Sequence, residues 1–193
     1  MRLNNRINFK IMKNSLLVVI FFSSIFISIA QDNEINWMSL EDAVEAQNKD
    51  PRKIIMDMYT TWCGPCKLLD KNTFRNTDVA TYINKNYYAV KFNAEGNSNV
   101  TFKEKVYSNP KFDASKKGRN SQHQLAGFLG VNAYPTIIFL DENGGLIAPI
   151  KGYHNPNQLE IFLKLFASNK YKEVITKEQW EQYQKEFKPS FRI

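Results

Sequence analysis

Apolar and polar positions follow two periods along this chain, and the switch between them predicts most of its elements. Ile35-Asn36-Trp37-Met38 predicts a short strand, and Ser39 then offers an N-cap to a helix with Glu41 and Asp42 in its first turn. That helix runs to about Asn48, and Asp50-Pro51 stops it. Lys53 to Tyr59 is almost uninterruptedly apolar, as a central strand covered on both faces should be. A helical pattern resumes through Leu68 and Leu69. Asn76-Thr77-Asp78 caps a further helix whose Val79, Tyr82 and Ile83 share one face, and Tyr87 to Asn93 alternates into a strand. Gln122 to Leu129 reads as a helix and Thr136 to Leu140 as an apolar strand. The turn Asp141-Glu142-Asn143-Gly144-Gly145 leads into an antiparallel partner from Leu146 to Ile150. A helix from about Asn157 to Ala167 gathers Leu159, Phe162, Leu163 and Phe166 on one face. The order predicts an α/β chain around a mixed sheet.

Two segments stand outside this pattern. Residues 95–120 are polar and rich in Lys and Asn, longer than the roughly 12 to 15 residues usual for a structureless loop. Phe102, Val106, Tyr107 and Phe112 within it predict partial packing, with a helix around Thr101 to Tyr107. Residues 168–193 predict a C-terminal helix from Lys177 to Phe187, capped by Thr176, with Trp180, Tyr183 and Phe187 on a face that docks on the domain.

Charge changes the reading of the first residues more than that of the whole. The net charge is +7, but four of the 26 cations and none of the 19 anions precede residue 31, leaving 22 against 19. Arg2, Arg6, Lys10 and Lys13 precede an apolar run from Leu16 to Ile29, and small residues stand at Ser28 and Ala30 before the polar Gln31. This is the layout of a secretory signal over residues 1–30, cleaved after Ala30, with Met12 as an alternative start. The alternative is an uncleaved anchor, although a span needs about 20 apolar residues and this run contains Ser23, Ser24 and Ser28. Export, to the periplasm, is the expectation, with no stable membrane insertion after cleavage. The cluster Lys103, Lys105, Lys111, Lys116, Lys117 and Arg119 reads as a solvated loop, not as a contact for nucleic acid.

The chemistry is concentrated in Trp62-Cys63-Gly64-Pro65-Cys66-Lys67, which holds both cysteines of the chain. Two thiols separated by two residues at a helix start can close a small disulfide, and the helix N-terminus favours a thiolate on the first. So short a bridge constrains little unfolded-chain entropy, which makes redox exchange the better reason for it. Half of a metal site is the other reading of such a pair, but His123 and His154 complete no common ligand spacing, and no metal is expected. Asp57 interrupts the apolar strand six residues before Cys63, where a carboxylate is costly unless used or paired.

The motif, the strand before it, Tyr134-Pro135-Thr136 and Gly152 together resemble the thioredoxin family over about Trp37 to Ala167. Lys67-Leu68-Leu69-Asp70 with Thr73-Phe74 is most similar to its exported thioredoxin-like branch. The resemblance implies a thioredoxin fold, with residues 95–120 inserted before the third core helix and a helical extension after residue 167. It implies that Cys63 is an exposed nucleophile, that Cys66 is the more buried resolving thiol, and that Asp57 with its partner Lys91 handles the proton. Pro135 matches the family's cis-proline, which sets the backbone of Tyr134 opposite the dithiol, and Trp62, Gly64 and Pro65 complete the substrate-contacting set. No cofactor is implied beyond the Cys63-Cys66 disulfide itself. The expected function is reduction of protein disulfides, with a membrane thiol donor supplying electrons. Isomerisation and a partner-gripping adaptor role stay open beside it.

Overall fold

In the computed structural model, which describes residues 34–192, the sheet is organised around the apolar strand after Pro51. The strands of this sheet are β1 (Trp37–Met38), β2 (Lys53–Tyr59), β3 (Tyr87–Asn93), β6 (Thr136–Leu140) and β7 (Leu146–Lys151), and β4 (Val100–Phe102) pairs with β5 (Lys105–Tyr107) in a separate hairpin. The sheet order is β1-β3-β2-β6-β7, with β1 and β2 parallel to β3, and β6 antiparallel to both β2 and β7. It is thus a mixed sheet with helices on both faces, and β2 lies at its centre as its hydropathy predicts.

Side chains alternate across a strand, so β2 divides its residues between two cores. Ile54, Met56 and Met58 join Leu40 and Ala43 of helix α1 (Leu40–Lys49) with Leu125 and Ala126 of helix α4 (Gln124–Phe128). Ile55 faces the opposite layer, made by Leu69 of α2 (Gly64–Leu69), Val79 and Ile83 of α3 (Thr77–Asn86), and Leu159 and Leu163 of α5 (Pro156–Ala167). Asp57 has the parity of Ile55 and so points to the side that carries the cysteine helix.

Local chemistry sets the helix ends. Ser39 caps α1 through the Asp42 amide, and Asn76 caps α3 through the amides of Asp78 and Val79. α2 ends in a π-helical turn over Asp70–Phe74, marked by the Arg75 N–H donating to the Asp70 carbonyl at 3.2 Å.

The insertion corrects one expectation. Residues around Thr101 to Tyr107 form the β4–β5 hairpin and not a helix. Val100, Phe102 and Tyr107 enter the core while Val106 is 59% exposed, so the apolar set belongs to the pleat of a hairpin. Lys103 and Glu104 make its two-residue turn with φ of 49° and 61°, a left-handed pair without the usual Asn-Gly signal.

The C-terminal segment folds back onto the domain. Helix α6 (Lys177–Glu186) stacks Trp180 on Phe162 of α5, with ring centroids 5.6 Å apart. Beyond it, the tail is clasped by Glu160, a fully buried carboxylate. Glu160 accepts from the Lys164 ammonium at 2.5 Å, the Ser190 hydroxyl at 2.7 Å, and the amides of Ser190 and Phe191 at 2.9 Å. The Arg192 guanidinium then forms a two-pronged pair with Asp78 at 2.7 and 3.0 Å. Burial opposes ionisation of Glu160, but Lys164, Ser190 and the two amides outweigh it and hold the carboxyl below its usual range. A depressed carboxyl contributes stability above its unfolded pKa of about 4.5 and loses it as pH falls through the folded value. Glu160→Gln should therefore cost about 2 to 3 kcal/mol at pH 7 and remove part of the acid sensitivity below pH 4.5. Urea midpoints measured across pH test this, and identical midpoints for the two proteins would refute the clasp.

The expected leader, residues 1–30, lies outside the described residues. Among those described, no helix is long and apolar enough to cross a membrane.

Candidate active site

The site is assembled where β2 runs into α2. Tyr59 ends the strand, the Cys63 N–H donates to the Thr60 carbonyl at 3.2 Å, and the helix begins at Gly64 with Pro65 in its first turn. Proline suits that position because the amide it lacks would have no helical partner there. Cys63 is the N-cap residue: its Sγ accepts from the Cys66 N–H at 3.1 Å while bonded to Cys66 Sγ, with the two Cα atoms 5.3 Å apart.

Cys63 departs from expectation in one respect. It is 2% exposed and Cys66 5%, so the first cysteine is not the more open of the two. Bonded to Cys66, Cys63 Sγ lies at the first helical turn, where it accepts from the Cys66 amide. The exposed residues of the motif are Gly64, Pro65 and Lys67.

Strand register explains the acid-base pair. Asp57 of β2 and Lys91 of β3 are aligned partners on parallel strands, so their side chains leave the sheet on the same face. Lys91 Nζ lies 3.9 Å from Asp57 Oδ2, too far for a hydrogen bond, and makes its direct ion pair with Asp70. Asp57 is 2% exposed. Burial raises its pKa, Lys91 lowers it, and the nearby Asp70 charge raises it, to a value of about 7. Asp57, Cys66, Asp70 and Lys91 line one cavity of about 510 Å³ together with Thr60 and Lys67. A carboxyl that titrates near neutrality and shares a cavity with the second cysteine can take and return that thiol's proton.

Tyr134–Pro135 is a cis peptide bond, as the resemblance implies. Pro135 is buried and its carbonyl accepts from the Gly152 N–H at 2.8 Å, tying the turn to the end of β7. Tyr134 meets Trp62 edge-on with centroids 6.0 Å apart, which brings the turn beside the cysteine motif. Trp62 thus joins the cis-proline turn to the cysteine motif. His123 is fully buried and structural: its Nδ1 accepts from the Leu125 N–H at 3.1 Å and caps α4.

Three participants were not singled out from the sequence. Asp70 lies four residues after Cys66, one helical turn on, so a shared face was an available signal. Glu95 accepts from Trp62 Nε1 at 2.7 Å and from the Asn120 N–H at 2.8 Å, and the Arg119 guanidinium lies over the Trp62 ring at 4.4 Å. These last contacts tie both ends of the insertion to the motif and leave no periodic trace in the sequence.

A family model described as a thioredoxin-like domain matches residues 40–167. Thiol:disulfide interchange protein DsbD of Pectobacterium atrosepticum is 25% identical over 131 residues, which cover 67% of this chain and 19% of that protein. Thioredoxin-like protein 1 of Schizosaccharomyces pombe is 30% identical over 115 residues, 60% of this chain and 30% of that protein. The chain thus spans less than a third of the length of either relative. Among solved structures, a thioredoxin-fold protein from Helicobacter pylori superposes with a TM-score of 0.52 at 15% identity, covering 81% of this chain and 91% of that one. A thioredoxin from Thermus thermophilus gives a TM-score of 0.51 at 12% identity, covering 69% and 87%. Both structural likenesses concern the fold.

Proposed function

The chain belongs to the thioredoxin-like family of oxidoreductases, and from that premise we propose that it reduces protein disulfides outside the cytoplasm. The observation that carries this reading is the Cys63–Cys66 disulfide capping a helix beside a buried carboxyl poised near neutral pH.

In the reduced protein, the Cys63 thiolate attacks one sulfur of a substrate disulfide. A mixed disulfide forms, and the other substrate sulfur leaves as a thiolate and takes a proton. Cys66 gives its proton to Asp57 and attacks Cys63 Sγ, releasing the second substrate thiolate, which is protonated in turn. Two electrons pass to the substrate and the Cys63–Cys66 disulfide results. A donor dithiol must then return two electrons, and in an exported protein a membrane-embedded thiol donor is the class that fits. Burial raises the pKa of Asp57, and the charges of Lys91 and Asp70 beside it lower and raise it in turn.

The reducing direction is supported by Gly64-Pro65. A His between the cysteines would stabilise the thiolate and make the disulfide oxidising, and none is present. The leader-like first 30 residues support export. Equilibration against glutathione buffers should give a midpoint more negative than about −230 mV. A value near about −120 mV would mark an oxidant and sink the reducing direction. Failure to reduce an exposed protein disulfide with dithiothreitol as electron source would sink exchange altogether.

A further inference from the structure

We propose that Arg119 is a specificity-determining residue for this exchange, selecting disulfide-bearing segments that carry a carboxylate beside the reacting cysteine. The inference rests on the exchange reading above and adds the chemistry of the preferred substrate.

The limb that carries Arg119 is fixed in place. Asn109 Nδ2 donates to the Gly96 carbonyl at 3.0 Å and the Ser121 carbonyl at 2.7 Å, closing the base of the insertion. Asn120 and Asp113 exchange two bonds at 2.8 and 3.0 Å, and the Asn120 amide shares Glu95 with Trp62. Arg119, one residue earlier, is thereby laid over the indole that precedes Cys63.

Stacking occupies the face of a guanidinium and leaves its planar edge of N–H donors free, the geometry that grips a carboxylate. Arg119 is exposed, and among the described residues no carboxylate lies within 4.0 Å of its nitrogens. Glu95 is engaged by Trp62 and Asn120, Asp70 by Lys91, and Asp57 is buried. Trp62 also meets Tyr134 of the cis-proline turn, so Arg119 stands at the rim of the surface where a substrate segment must lie to reach Cys63. On the Cys66 side the cavity wall adds Lys67 and Lys71. A disulfide flanked by these cations favours an acidic approach and disfavours a basic one.

The test uses the full chain and three disulfide-linked peptides that are identical except for Glu, Gln or Lys two residues from one cysteine. The readout is the ratio of kcat/KM between peptides, which does not depend on the folded fraction of a variant. The native chain should prefer the Glu peptide over the Gln peptide by about five-fold at low salt, as an exposed pair allows. About 1 M salt, with its Debye length near 3 Å, should bring the ratio towards one. Arg119→Ala should bring it towards one at any salt, and Arg119→Glu should shift the preference to the Lys peptide. Equal rates on all three peptides with the native chain, or a Glu preference that survives in Arg119→Ala, would overturn the proposal while exchange stands. Exchange with none of them would overturn the exchange reading and this one together.

Discussion

Cys66→Ala should convert the protein from a turnover catalyst into a trap. Cys63 keeps its place at the N-terminus of α2 and can still attack a substrate disulfide, but no second thiol is left to resolve the mixed disulfide. Turnover should fall by at least about 10³-fold while a covalent adduct accumulates on Cys63. Cys63→Ser should lose both turnover and adduct, because the entering nucleophile is gone. Neither change should unfold the chain: a loop closed between residues three apart accounts for about 2 kcal/mol at most in the chain-entropy account. The Cys63 carbonyl still accepts from the Lys67 N–H, and Leu69 and Phe74 still anchor the helix in the core. Non-reducing electrophoresis of extracts from cells making the variant would reveal the adducts, and mass spectrometry would name the partners. Equal turnover by the native chain and Cys66→Ala would remove the resolving role.

The elements that the sequence made legible are those whose side chains meet a continuous core. β2 was readable because both of its faces are covered, and α5 because Leu159 and Leu163 recur one turn apart. The Asp57–Lys91 pairing came from the family resemblance, since parity alone does not fix the register of β2 against β3; in the structure the two residues are aligned partners. The β4–β5 hairpin was not readable. Phe102, Val106 and Tyr107 are spaced as a helix face would be, and the left-handed turn at Lys103-Glu104 is imposed by the packing of Phe102 and Tyr107. Asp70 as the direct partner of Lys91 was not singled out, although its place one turn after Cys66 put it on a shared face. The contacts of Glu95 and Arg119 with Trp62 join positions 33 and more residues apart, through an insertion whose own pattern looked solvated. The low exposure of Cys63 in the disulfide-bonded chain is likewise a feature that no spacing encodes.

Asp57→Asn should make the protein more stable and slower at once. With a folded pKa of about 7 against 3.8 unfolded, Asp57 favours folding most when protonated. The raised value means that its contribution is fully present below 3.8 and is lost as pH rises to 7, so the ionised residue is a standing penalty above neutrality. At 1.36 kcal/mol per unit the penalty is on the order of 4 kcal/mol, and Asn escapes it while leaving an amide to be satisfied. A gain of about 2 to 3 kcal/mol at pH 8, shrinking towards zero at pH 4, should appear in urea titrations of the oxidised proteins. Catalysis should move the other way. Cys66 loses the group that takes its proton, so resolution should slow by about 10²-fold and the inflection near pH 7 should leave its pH profile. Attack by Cys63 requires no proton transfer to Asp57, so the burst of mixed disulfide should persist. An unchanged inflection would remove Asp57 from the proton path, and an unchanged stability difference between pH 4 and pH 8 would show that it is not the buried group that titrates. In the proposed exchange, the carboxyl that costs stability at a central strand position above neutral pH is the one that takes the Cys66 proton.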